Sequence, residues 1–148
     1  MRFWDSSAVL PLLVGQATTR KVRELFAEDP HTCVWTLTDV EVRSALMRLE
    51  RAGDLTPSRR LAAEEHFAHL WKRTRVVESI EAVKTQARRI LGVHALRAAD
   101  AMQLGAALVF AGHDPLGTEL VCLDLRLADA ARLEGFRILP DQETRSPR

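Results

Sequence analysis

Two cysteines in 148 residues are too few for a disulfide scaffold. Both, Cys33 and Cys122, sit in apolar, strand-like runs, where a thiol serves as a small hydrophobe. A reducing cytoplasm is the expected location. No apolar stretch is long and uncharged enough to span a bilayer. The N-terminus enters a strand at once, without the basic leader, apolar run and cleavage site of a secretory signal, so none is expected. There is no internal repeat, linker or low-complexity segment. Lysine is scarce: Lys21, Lys72 and Lys84 are the only three among 21 basic residues, and the rest are arginine. Arginine grips phosphate in a fixed fork, which permits a local basic rim for nucleic acid. A compositional bias of the genome accounts for the arginines equally well. The net charge of +1 argues against a broad nonspecific DNA coat.

What is present belongs to a globular chain. Hydrophobic residues make up 47% and charged residues 28%, a balance that suits one domain with its own core. We expect that domain over residues 1–140, with a frayed polar tail over 141–148. The pattern opens with a strand at Arg2-Phe3-Trp4, ending in Asp5, and a short helix through Leu13 that breaks near Gly15. A second helix covers 18–28, with Val22, Leu25 and Phe26 on one face. Thr32 to Trp35 is a β-branched and aromatic run, read as a strand. Thr38 and Glu41 have the spacing of a capping box and start a helix to about Ala52, its core stripe being Val42, Leu46 and Leu49. Thr56-Pro57 starts the next helix, to about Lys72.

Arg75 to Val77 is a brief strand, and Ser79 is expected to cap a helix over 80–91. Residues 97–111 read as a helix that is apolar from Ala98 to Ala111 except at Asp100 and Gln103, which predicts that it is buried. Leu120 to Leu123 reads as a strand, followed by Asp124, a helix from about Leu125 to Leu133, and a last strand over Phe136 to Leu139. Strands alternating with helices give the α/β class, with a mainly parallel sheet.

Four acids stand where an acid is unusual. Asp5 and Asp124 end strands, Glu41 opens the helix after the second strand, and Asp100 lies in the buried helix. Each has a local explanation. Asp5 and Asp124 can cap helices, Glu41 can complete the capping box, and Asp100 can pair with Arg97 one turn away. Jointly, these explanations leave unexplained why two strand ends and two adjoining helices all carry acids. In a parallel sheet the C-terminal strand ends share one edge, where ligands bind. Acids clustered there repel one another and raise each other's pKa, a penalty that a divalent cation removes. Oxygen-only ligands select a hard ion, Mg²⁺ or Mn²⁺. The carboxyl groups of Asp5, Asp100 and Asp124 are therefore expected to converge on one pocket.

The segments Asp5-Ser6-Ser7-Ala8-Val9-Leu10, Glu41-Val42-Arg43-Ser44-Ala45-Leu46, Leu96 to Leu104 around Asp100, and Leu120 to Ala131 around Asp124, running on to Gly135, occur in one order over nearly the whole chain. In this the chain resembles the PIN-domain ribonucleases, specifically the VapC-type toxins of bacterial toxin–antitoxin pairs. The resemblance implies a PIN-like three-layer α/β/α sandwich with a small central sheet. It implies a Mg²⁺-dependent endoribonuclease, with Mn²⁺ as a possible substitute, that acts as a toxin and leaves 3′-hydroxyl and 5′-phosphate ends. It also implies a homodimer inhibited by a cognate VapB-type antitoxin. Asp5, Glu41, Asp100 and Asp124 match the family's metal-site acids, and Ser7 its supporting hydroxyl.

Two positions depart from the family pattern. Cys122 stands where threonine or serine is common, and Gln103 where histidine is frequent; a minor effect is expected of the latter. Arg43, Arg48 and Arg97 are candidates to line the acids and grip RNA phosphate or an antitoxin carboxylate; solvated helix faces explain them equally well. His66 and His69, beside Glu65, lack the spacing and third ligand of a zinc site. Trp4, Trp35 and Trp71 are expected in the core, and Asp129 on a solvated helix face. A haloacid-dehalogenase-like phosphatase would need a second aspartate where Ser7 stands, and a receiver domain a lysine at a late strand end. A noncatalytic PIN-like RNA-binding or scaffold protein is the alternative, disfavoured by the complete set of acids.

Overall fold

The computed structural model describes residues 1–141. The tail expected over 141–148 thus lies outside the described residues, apart from Asp141. The elements in order are β1 (Arg2–Trp4), α1 (Ser6–Leu13), α2 (Thr19–Glu28), β2 (Thr32–Trp35), α3 (Thr38–Arg51), α4 (Pro57–Trp71), β3 (Arg75–Val77), α5 (Ile80–Leu91), α6 (Ala98–Phe110), β4 (Glu119–Val121), α7 (Leu125–Glu134) and β5 (Arg137–Leu139). The strands form one sheet in the order β3-β2-β1-β4-β5. Every pairing is parallel, with Phe3 aligned between Cys33 and Leu120. The sheet expected to be mainly parallel is wholly so among the described residues.

Strand residues alternate between two cores, as the period of two requires. Phe3, Cys33, Trp35, Leu120 and Ile138 face α5, α6 and α7. Trp4, Val34, Val121 and Leu139 face the layer of α1 to α4, meeting Val9, Val22, Leu46 and Phe67. The result is the three-layer PIN-like sandwich that the resemblance implies. Trp4 and Trp35 are fully buried and Trp71 is half-buried, packed edge-on against Phe67. Both cysteines are buried free thiols, and burial pushes the Cys33 thiol up to about 11.

Helix α6 is the buried helix its composition predicts, with Leu104, Gly105, Ala106, Ala107 and Leu108 all inaccessible. Gly105 is needed there because α5 crosses so closely. A Cβ at this position would sit 2.8 Å from the Val83 carbonyl oxygen and 3.2 Å from the Ala87 nitrogen. Gly135 ends α7 with φ of 108°, a left-handed conformation that glycine adopts without strain.

Candidate metal centre and active-site cleft

The sheet order places the site. β1 continues to β2 on one side, and β4 continues to β5 on the other. Where neighbouring strands diverge in this way, a crevice opens beyond their C-terminal ends. Asp5 directly follows β1, and its backbone nitrogen donates to the Val121 oxygen at 3.0 Å, extending the ladder by one step. Asp124 follows β4 and is the N-cap of α7, its Oδ1 accepting from the Leu127 nitrogen at 2.9 Å. Between them lies a cleft of about 590 Å³, lined by Asp5, Glu41, Asp100 and Asp124 together with Ser7 and Arg48, among others. All four acids singled out in the sequence therefore share one cavity.

Asp5 is the buried member, 4% exposed. Its Oδ2 accepts from the Ser7 nitrogen at 3.0 Å and the Ser7 hydroxyl at 2.5 Å. It is thus both the N-cap of α1 and a wall of the cleft. Burial pushes its carboxyl from an ordinary 3.8 up to about 6, against the pull of the two Ser7 bonds, and the charges of Glu41 and Asp124 push the same way.

Ser7 uses its full hydrogen-bonding capacity. Its hydroxyl donates to Asp5 and accepts from the Leu123 and Asp124 nitrogens at 2.9 and 3.2 Å. One side chain thereby pins the turn after β4 to the turn after β1. Cys122 lies fully buried beneath, its sulfur 3.7 Å from Asp5 Oδ2. Burial and then the Asp5 charge hold that thiol in its neutral form.

Glu41 corrects the sequence reading. The capping box is not formed: the N-cap is Leu37, and no side chain bonds there. Thr38 is already inside the helix and fully buried, its hydroxyl accepting from Gln103 Nε2 at 3.1 Å. The Glu41 carboxylate turns into the cleft instead, where Oε2 accepts from the Ser6 hydroxyl at 2.7 Å and from Gln103 Nε2 at 3.2 Å. Ser79 likewise occupies its N-cap position without a side-chain bond.

Asp100 is half-buried in the first turn of α6. Desolvation raises its carboxyl pKa, and the Asp124 charge adds to this; the Arg97 backbone N–H and the charges of Arg126 and Arg97 oppose it. The expected pairing with Arg97 is not closed. Among the described residues, none of the four acids forms an ion pair within 4 Å. Arg97 supplies the backbone N-cap of α6 and stands outside the cleft lining.

Of the other arginines, Arg43 pairs with Asp39 along the surface of α3 at 3.0 Å. Arg48 is the cation lining the cleft, exposed and 3.4 Å from the Ser44 hydroxyl. His66 and His69 are exposed on α4. Asp129 pairs with Arg132 at 2.7 Å on the outer face of α7. Sequence reasoning gave Ser6 no partner beyond the opening turn and assigned Gln103 a minor effect. The signal for Gln103 was visible: it is the second polar residue of an otherwise apolar helix, one turn after Asp100.

The donor set fits a hard divalent cation. All four acids offer oxygen, none of them is in an ion pair within 4 Å among the described residues, and the hydrogen bonds to Asp5, Glu41 and Asp124 come from neutral donors. Among the described residues, no three of the His, Cys, Asp and Glu side chains are already grouped to hold an ion.

Comparison with known proteins agrees with this architecture. No protein-family model matches the chain. Among solved structures, the crystal structure of FitAcB from Neisseria gonorrhoeae superposes with a TM-score of 0.64 at 17% identity, covering 93% of this chain and 97% of that one. A toxin–antitoxin complex from Klebsiella pneumoniae gives 0.62 at 13% identity, covering 86% and 91%. At these identities the likeness is one of fold. Sequence relatives are closer. Ribonuclease VapC45 and Ribonuclease VapC49, from two strains of Mycobacterium tuberculosis (CDC 1551 / Oshkosh and H37Rv), are each 34% identical over 140 residues, 95% of either chain. With that identity over nearly its full length, the chain belongs to the VapC ribonuclease family.

Proposed function

We propose that this protein is a Mg²⁺-dependent endoribonuclease, Mn²⁺ being a possible substitute, and that it acts as the toxin of a type II toxin–antitoxin pair. One observation carries the reading: four carboxylates, none in an ion pair among the described residues, line one cleft at the divergence of β1 and β4. Family membership supplies the substrate class, RNA. Asp5, Glu41, Asp100 and Asp124 would hold the ion, which, when bound, lowers the pKa of a water and stabilises charge on the scissile phosphate.

The protein's own part is positional. Ser7 locks Asp5 to the Asp124 turn, and Ser6 with Gln103 holds Glu41. Arg48 offers the guanidinium that meets a phosphate at the cleft mouth. Burial raises the carboxyl of Asp5 to about 6, so a bound cation would favour its ionised form. The solved complex of the Klebsiella fold neighbour supports an antitoxin partner here too, its tail entering the same cleft, with arginine as the residue that complements four acids. A homodimer is part of the same proposal.

The test is cleavage of structured RNA with purified protein. Cleavage with Mg²⁺ or Mn²⁺, its loss in EDTA, and 5′-phosphate products are expected. Asp100→Asn cutting as well as wild type would refute the mechanism.

A further inference from the structure

We propose that Gln103 is a positioning residue of this cleft, fixing which oxygen of Glu41 faces the bound ion. The inference rests on the reading of Glu41 as a site acid given above. Helix α6 carries two polar side chains between Ala98 and Phe110. Asp100 lines the cleft, while Gln103, one turn on, is 2% exposed. A buried amide is unfavourable unless it is hydrogen-bonded. Both bonds of Gln103 are made by Nε2, to Thr38 Oγ1 at 3.1 Å and Glu41 Oε2 at 3.2 Å, and its Oε1 is buried without a partner. An amide placed only to be satisfied would use both ends. Here the acceptor is left orphaned while the donor is spent on α3.

The opposite orientation would set Oε1 against a carboxylate oxygen, so the charge of Glu41 dictates the amide's direction. The Ser6 hydroxyl donates to that same Oε2 at 2.7 Å. Two donors from two other helices thus saturate one oxygen of Glu41 and leave Oε1 for the cleft. Both donors are neutral. An arginine at position 103 would hold the carboxylate equally well, and its charge would compete with the cation.

The experiment compares wild type, Gln103→Met, Glu41→Gln and the double variant. Mn²⁺ affinity is read without RNA, from the electron paramagnetic resonance of the free ion; kcat and KM are read on one RNA. Circular dichroism checks folding, and Gln103→Leu stands in if the methionine variant does not fold. Loss of a group that orients a metal ligand weakens affinity or rate by about 10- to 100-fold. We expect a loss of that size for Gln103→Met, in Mn²⁺ affinity and kcat rather than KM. We also expect no further loss when it is added to Glu41→Gln, because the clamp acts through that carboxylate. Gln103→His, which keeps an N–H donor, should recover part of the loss.

A Gln103→Met protein that matches wild type while Glu41→Gln is impaired overturns the inference and leaves the site reading standing. So does a loss that simply adds to that of Glu41→Gln. If Glu41→Gln itself behaves as wild type, the site reading fails, and the clamp with it.

Discussion

Replacing Asp5 with asparagine should stabilise the metal-free protein while destroying its activity. Both bonds from Ser7 fall on a single oxygen, Oδ2, which an amide carbonyl reproduces, so the substitution removes the charge and little else. With the folded carboxyl at about 6 and its ordinary value at 3.8, ionisation of Asp5 opposes folding. At about 1.4 kcal/mol per pH unit, the opposition amounts to about 3 kcal/mol at pH 7. The sign follows from proton binding. Between pH 4 and 6 the folded state binds more protons than the unfolded one, so this contribution makes wild type more stable as the pH falls.

The gap between Asp5→Asn and wild type should therefore shrink from about 3 kcal/mol at pH 7 to under about 1 kcal/mol at pH 4. Asp29 titrates oppositely. Its carboxyl is held down at about 2, chiefly by the N-terminal ammonium 2.6 Å away, so its stabilisation is lost only as the pH falls below its ordinary value. It is common to both proteins and cancels. In urea melts with EDTA, 3 kcal/mol at a slope of about 2 kcal/mol per molar moves the midpoint by about 1.5 M. Mg²⁺ at about a thousandfold excess over its Kd should then reverse the order, stabilising wild type by about 4.1 kcal/mol and the variant far less. Equal midpoints at pH 7 in EDTA, or a gap that does not close toward pH 4, would refute the reasoning.

Ser7→Ala removes the hydroxyl that serves Asp5 and the Leu123 and Asp124 nitrogens; leaving such groups unpaired should lower stability by about 1–3 kcal/mol in denaturant melts. Gly105→Ala forces a methyl group against the Val83 carbonyl and should lower stability by about 1–3 kcal/mol with no change in divalent-ion affinity. Arg48→Ala should weaken RNA binding across sequences and reduce the slope of log affinity against log salt by about one, as measured by fluorescence anisotropy.

The fold was legible because its signals are local and repeat. Period-two alternation in Phe3-Trp4 and Cys33-Val34-Trp35 sorts side chains to opposite cores, and Asp29-Pro30, Pro57 and Gly135 punctuate the helices where the structure starts or stops them. Strand ends slipped by a residue or two: the run read from Leu120 to Leu123 is a strand over Glu119–Val121, and Phe136 packs beneath the sheet before β5 begins. Pairing partners decide these ends, and a partner is not local information.

The acids that line the cleft were legible for a different reason: Asp5 and Asp124 end strands and Asp100 interrupts an apolar helix, where a charge is anomalous, and Glu41 opens the helix after β2. Their supports were less so. Thr38 and Glu41 carry a capping-box spacing, and an isolated helix would close it, since nothing else competes for the two side chains. In the folded chain Gln103 reaches Thr38 from α6 and Ser6 reaches Glu41 from α1. These contacts span 65 and 35 residues of sequence and win over the local bonds. A cap spends a carboxylate on the backbone of its own helix. A site needs that carboxylate turned outward, and only distant neutral donors can hold it there without cancelling its charge. At α3 the helix forgoes a local stabilisation that its sequence makes available, and the carboxylate of Glu41 lines the cleft instead.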